Sequence, residues 1–113
     1  MRKVTLETVT AFVNGYDKKL NNTEVATTDR SVAMYLHGNL IARLDVPTNT
    51  LTIKDSGWES VTTKERLNGL LSRLAPDYGI VQNNHEWYIT KGDGELLGWT
   101  GEAEFRAGHL MVV

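Results

Sequence analysis

The chain has no cysteine among its 113 residues, which removes disulfides, thiol nucleophiles and thiolate metal sites together. It has only two prolines, no internal repeat and no low-complexity stretch, so nothing reads as a linker and a single domain over residues 1–113 is expected. No apolar run approaches the roughly 20 residues of a membrane-spanning helix. The Met1-Arg2-Lys3 start leads into no apolar segment of the secretory kind. Together these absences point to a soluble protein of a cytoplasm. An excess of one charge is also missing: a formal net charge of −2 and a pI near 5.9 disfavour nucleic acid as a partner, because sequence-independent binding needs many cations to displace counterions.

Catalytic and metal motifs are scarce as well. The three histidines, His37, His85 and His109, are far apart and form no H-x-H or H-E-x-x-H pattern, so no metal site and no cofactor is expected. Each is read as structural or solvent-exposed. Carboxylates are scattered, Asp93 reads as a turn residue, and no acid–base pair can be nominated. The chain is therefore expected not to be an enzyme, and to have no catalytic residue.

What is present is a set of secondary-structure signals. Residues 32–54, VAMYLHGNLIARLDVPTNTLTIK, read as a three-stranded meander with turns at Gly38-Asn39 and Pro47-Thr48-Asn49. A two-residue turn there would place Leu36 opposite Ile41 and Met34 opposite Arg43, leaving both faces largely apolar. Two apolar faces need cover on both sides, so a homo-oligomer is expected. Thr62 and Glu65 fit the T-x-x-E capping box. Leu67, Leu70, Leu71 and Leu74 follow at helical spacing and Pro76 ends the run, which predicts a helix over 62–75. Residues 78–95 predict a second hairpin around Asn83-Asn84. Residues 95–108 read as irregular, anchored by Trp99 and Phe105, and residues 109–113 as a terminal strand. The first segment is ambiguous: Val4, Leu6 and Thr8 alternate, while Leu6, Val9, Phe12 and Tyr16 fit a helix. Its β-branched content predicts a strand ending at Asn14-Gly15. The fold class is thus α+β, an antiparallel β-sheet of the central meander plus the later hairpin, with one main α-helix packed on it.

The helix start is the best candidate binding site. A helix N-terminus offers unsatisfied N–H groups and partial positive charge, a natural phosphate seat. Thr63, Lys64 and Arg66 would join it, Asn68 could reach a ligand edge, and Trp58 or Trp87 could stack on a base. The plainer reading is that Thr62 caps, Trp58 plugs the core, and Lys64 and Arg66 are solvated. Arg43, Met34 and Ile41 offer a different surface, suited to a protein partner.

LHGNLIARLD at 36–45, GWESVTTKERLNGLL at 57–71 and GIVQNNHEWYI at 79–89 resemble a family of small accessory proteins of tailed bacteriophages, over roughly residues 20–90. The TTK-x-RLN-x-LL block is the distinctive part. The resemblance implies action in the host cytoplasm. In its size and its small, β-rich, oligomeric design the chain is also similar to the Thoeris anti-defence sponges. That similarity implies a homo-oligomer sequestering a small phosphate-bearing signalling nucleotide, a cyclic ADP-ribose isomer or cyclic oligonucleotide, without cleaving it. The alternative is a protein-binding inhibitor of a host defence or metabolic enzyme.

Overall fold

The apolar face of each element turns toward one interior, and the strand registers show how. The computed structural model describes residues 2–111. Strands β1 (Lys18–Leu20), β2 (Thr23–Thr27), β3 (Ser31–Leu36), β4 (Asn39–Asp45) and β5 (Thr50–Lys54) follow one another as an antiparallel meander. Strands β9 (Glu102–Arg106) and β10 (His109–Leu110) extend it, giving a seven-stranded sheet of order β1-β2-β3-β4-β5-β9-β10. Helices α1 (Lys3–Asn14) and α2 (Val61–Leu74) cover its inner face. There Val25, Met34, Ile53 and Phe105 of the sheet meet Phe12 of α1 and Leu67, Leu70 and Leu71 of α2, all fully buried. The fold is α+β with its main helix on an antiparallel sheet, as the sequence predicts.

Several local expectations are corrected. The N-terminal segment is a helix and not a strand: Thr5, Thr8, Val9, Ala11 and Phe12 form its buried stripe, and burial of that stripe outweighs the modest β preference of its Thr and Val residues. Two threonines are accommodated by back-bonding, Thr8 Oγ1 donating to the Val4 carbonyl and Thr10 Oγ1 to that of Leu6, both at 2.7 Å. Gly15, at φ 74°, closes the helix in the left-handed conformation.

The turn of the central hairpin is His37-Gly38, with φ of 51° and 81°, one residue before the expected position. Leu36 therefore faces Asn39, and the register shifts at Met34/Tyr35 so that Met34 faces Ala42 and Ala33 faces Arg43. This bulge turns Ile41 and Ala42 both inward. The outer face is consequently not apolar: Arg43, Thr50, Thr52, Glu104 and Arg106 occupy it. The premise that two greasy faces demand a second subunit falls with it. Met34 and Ile41 lie in the core and are withdrawn from any surface around Arg43.

The later hairpin, β6 (Tyr78–Asn83) and β7 (Glu86–Lys91), turns at Asn84-His85 and pairs with β8 (Leu96–Gly98) in a separate three-stranded sheet. Residues 95–108 are therefore largely strand, and β9 is an internal strand of the larger sheet. Phe105 is buried as expected, and its ring meets Tyr78 of β6 edge-on at 5.3 Å between centroids, which joins the two sheets. The terminal strand expected at 109–113 is present at His109–Leu110; Val112 and Val113 lie outside the described residues.

Candidate functional site

The N-cap of helix α2 lies two residues before the Thr62 of the T-x-x-E reading, and the helix runs Val61–Leu74 where 62–75 was expected. Ser60 is the N-cap, accepting from the Thr63 amide at 3.1 Å, and its hydroxyl also meets Thr63 Oγ1 at 2.9 Å. Thr62 does not cap, and Glu65 is drawn away sideways. Glu65 Oε1 accepts from Thr5 Oγ1 at 2.5 Å and from Arg66 Nη1 at 2.6 Å, and its other oxygen lies 3.8 Å from Arg2 Nε.

This has a direct consequence for the expected phosphate seat. Arg66 is 1% exposed, the largest fully buried side chain of the described residues. Its Nε donates to Thr23 Oγ1 at 3.0 Å and its Nη1 also reaches Thr5 Oγ1, so one guanidinium ties α2 to α1 and to β2. A fixed planar fork is suited to such multi-point bonding. Burial lowers the Arg66 pKa while the Glu65 carboxylate opposes that shift; the Thr5 hydroxyl, ahead of the charges of Arg2 and Arg66, lowers the Glu65 pKa. Arg66 is thus a structural cation, neither a surface ligand nor a solvated one.

The remaining nominated residues separate. Thr63 is buried beside its cap. Asn68 reaches the edge strand β6, accepting from the Ile80 amide at 2.7 Å and donating to the Ile80 carbonyl at 2.9 Å, which caps that edge as another strand would. Trp87 is buried against Trp99, centroids 5.9 Å apart. Lys64 is half-buried on α2. Trp58 alone stands out, 66% exposed, with Val61 at 69% beside it in sequence.

Trp58 forms one wall of a pocket of about 170 Å³, lined also by Leu36, His37, Asn39, Ile41, Asp55 and Thr63. The pocket opens where the β3–β4 turn, the 55–60 loop and the start of α2 meet. Asp55 builds the loop. Its carboxylate accepts from the Gly57 amide at 2.7 Å and from Trp99 Nε1 at 2.8 Å, and its own amide donates to the Gly101 carbonyl at 3.1 Å. Ser56 and Gly57 take positive φ of 53° and 78°, and the Ser56 hydroxyl donates to the Leu40 carbonyl. Desolvation, then the neighbouring Asp55 carboxylate, raises the Glu59 pKa. The pocket is therefore apolar with the Asp55 carboxylate among its lining residues, which disfavours a phosphate there. Trp99, expected as an anchor, packs against the core as a partly buried side chain, whereas sequence reasoning missed Asp55. The signal for Asp55 was present in Asp55-Ser56-Gly57, since Asp two residues before Gly favours an Asx turn. The pairing with Trp99, 44 residues on, carries no local signal.

Fold and site together define a small α+β domain with a recessed apolar surface pocket. No group of three or more potential metal ligands occurs among the described residues, and no helix among them is long and apolar enough to cross a membrane. The family model described as Kyanoviridae Gp96 protein matches residues 1–111, and the chain belongs to that family of phage proteins. The phage origin implied by the sequence resemblance agrees with this membership. No curated protein and no solved structure matches the chain.

Proposed function

We propose that this phage protein is a non-catalytic binding module that acts in the host cytoplasm by docking on a host protein, with the Trp58 corner as its anchor. The observation that carries the reading is the exposed Trp58 indole standing as the wall of an apolar pocket. Such a pairing of exposed tryptophan and adjoining cavity is the usual chemistry of an interface hot spot. The pocket volume suits one apolar side chain of a partner. The Asp55 carboxylate in its lining and the exposed indole face of Trp58 favour a Lys or Arg next to that side chain.

Sequestration of a cyclic nucleotide has less support. With Arg66 and Asn68 engaged inside the fold and Trp87 buried against Trp99, Trp58, Lys64 and the pocket-lining Thr63 are the nominated residues left to face a ligand. The residues lining the pocket include the Asp55 carboxylate and no guanidinium or ammonium group.

The test is a quantitative pull-down from host lysate with wild type and Trp58→Ala, followed by cross-linking of the captured protein to residues 55–60. A stoichiometric partner lost with Trp58→Ala and cross-linked at that loop supports the reading. Equal recovery by both proteins refutes it. Retention of a cyclic nucleotide by the wild-type protein in native mass spectrometry would restore the sequestration reading.

A further inference from the structure

The outer face of the larger sheet carries a charge pattern that the Trp58 corner does not explain. Three neighbouring strands, β4, β5 and β9, present two rows there. One row runs Asp45–Thr50–Arg106 and the next Arg43–Thr52–Glu104, by the registers of both strand pairs. These residues line a shallow concavity of about 350 Å³. Within a row the opposite charges stand two strands apart, roughly 10 Å at the usual strand spacing. Among the described residues no ion pair involves any of the four. Arg106 Nε donates to Thr50 Oγ1 at 3.3 Å, and Asp45 holds the Thr48 amide at 3.3 Å.

The two rows are reversed copies of each other in charge. If a second copy is turned over about a twofold axis lying along β5, its β9 falls over β4 of the first. Arg43 then faces Glu104, Asp45 faces Arg106, and both pairs occur twice because a twofold contact is isologous. Thr50 and Thr52 face their own counterparts. Every charge of these two rows that lacks a close opposite within its own row acquires one, and within the rows no like charges meet; Lys54, one row further along β5 and in register with Glu102, is a cation that falls on the axis opposite its own counterpart. A small anion fits less well, since the concavity holds two carboxylates beside its two guanidinium groups.

We propose that this face is a self-complementary docking surface whose occupant is a second copy of the chain. The contact is polar and the association is salt-dependent, because exposed pairs are screened at rising ionic strength. It lies on the side of the sheet away from α1 and α2 and is independent of the Trp58 corner.

The experiment is sedimentation equilibrium of the full chain at about 50 and about 500 mM salt, conditions that bracket strong and weak electrostatic attraction. A dimer at low salt that dissociates at high salt is expected. Arg43→Glu and Glu104→Arg are chosen for reversal because neither side chain makes an ion pair among the described residues. Each variant alone is expected to dimerise about tenfold more weakly or worse, since the repulsion occurs twice per dimer. An equimolar mixture of the two is expected to form the heterodimer, because the two carboxylates that the first variant carries at these positions then face the two guanidinium groups of the second. Circular dichroism of each variant establishes that it is folded. Monomeric wild type at low salt, single variants that dimerise like wild type, or a mixture that stays monomeric would each overturn the proposal.

Discussion

Arg66→Ala distinguishes most sharply between a surface ligand and a structural cation. A phosphate-binding arginine at a helix start could be removed with little effect on folding. The buried Arg66 cannot, because it holds Thr23 of β2, Thr5 of α1 and Glu65 of α2 on one guanidinium. Removing one member of a buried ion pair costs about 3–5 kcal/mol. Glu65 is 29% exposed and keeps Thr5 and Arg2 as partners, so the lower end applies. A loss of about 3 kcal/mol is a large share of the roughly 5–15 kcal/mol of a typical domain. With a urea m-value of about 2 kcal/mol/M it lowers the midpoint by about 1.5 M. The assay is urea unfolding followed by circular dichroism at wavelengths reporting helix, with m compared between proteins. Arg66→Met keeps much of the buried stem and separates loss of packing from loss of charge. A change below about 1 kcal/mol in Arg66→Ala, at unchanged m, would refute the assignment of Arg66 to the scaffold.

Three further outcomes follow from the same geometry. Asn68→Ala leaves the amide and carbonyl of buried Ile80 without their partners and should destabilise by about 2 kcal/mol, read by urea unfolding; a neutral result would show that the β6 edge is satisfied another way. Trp58→Ala should change stability by no more than about 0.5 kcal/mol, since the indole is mostly exposed, so any loss of partner binding is a loss of contact and not of fold. The Glu65 pKa is lowered on folding, so its contribution is complete above its unfolded value and fades as pH falls through the lower folded value. Glu65→Gln should therefore narrow its stability deficit against wild type as pH falls from neutral toward that range, and a constant deficit would contradict the linkage.

The parts of this fold that were legible in the sequence are those decided locally. The leucines of α2, the stop at Pro76 and the three strands of the meander all rest on periodicity within one segment, and all are present. The departures arise where a distant partner chooses between local options. Residues 3–14 carried both a strand and a helix period, and the helix prevails because its stripe of Val9 and Phe12 enters the common core. At both hairpins a histidine, His37 or His85, occupies a positive-φ turn position that Asn and Gly nearby were expected to fill, and the register moves by one. The candidate site was half legible. Trp58 was singled out and is the exposed wall of the pocket, whereas the cluster around Arg66 looked like a helix-end anion seat because nothing in its own segment reveals that Thr5 and Thr23 converge on it.

One pairing has a meaning for how the molecule comes into being. Strand β9 completes the large sheet by adding to β5, yet it is translated after the whole of α2 and the smaller sheet. Across the roughly fifty intervening residues the ribosome needs about 2–10 s at ordinary elongation rates. During those seconds the free side of β5 is an open edge, flanked by Leu51 and Ile53 that will later be buried. The β6–β7 hairpin can close meanwhile, being local in sequence. The nascent chain thus passes through a stage in which its largest sheet waits for its final strands, and a chaperone or another nascent copy would meet it at that edge.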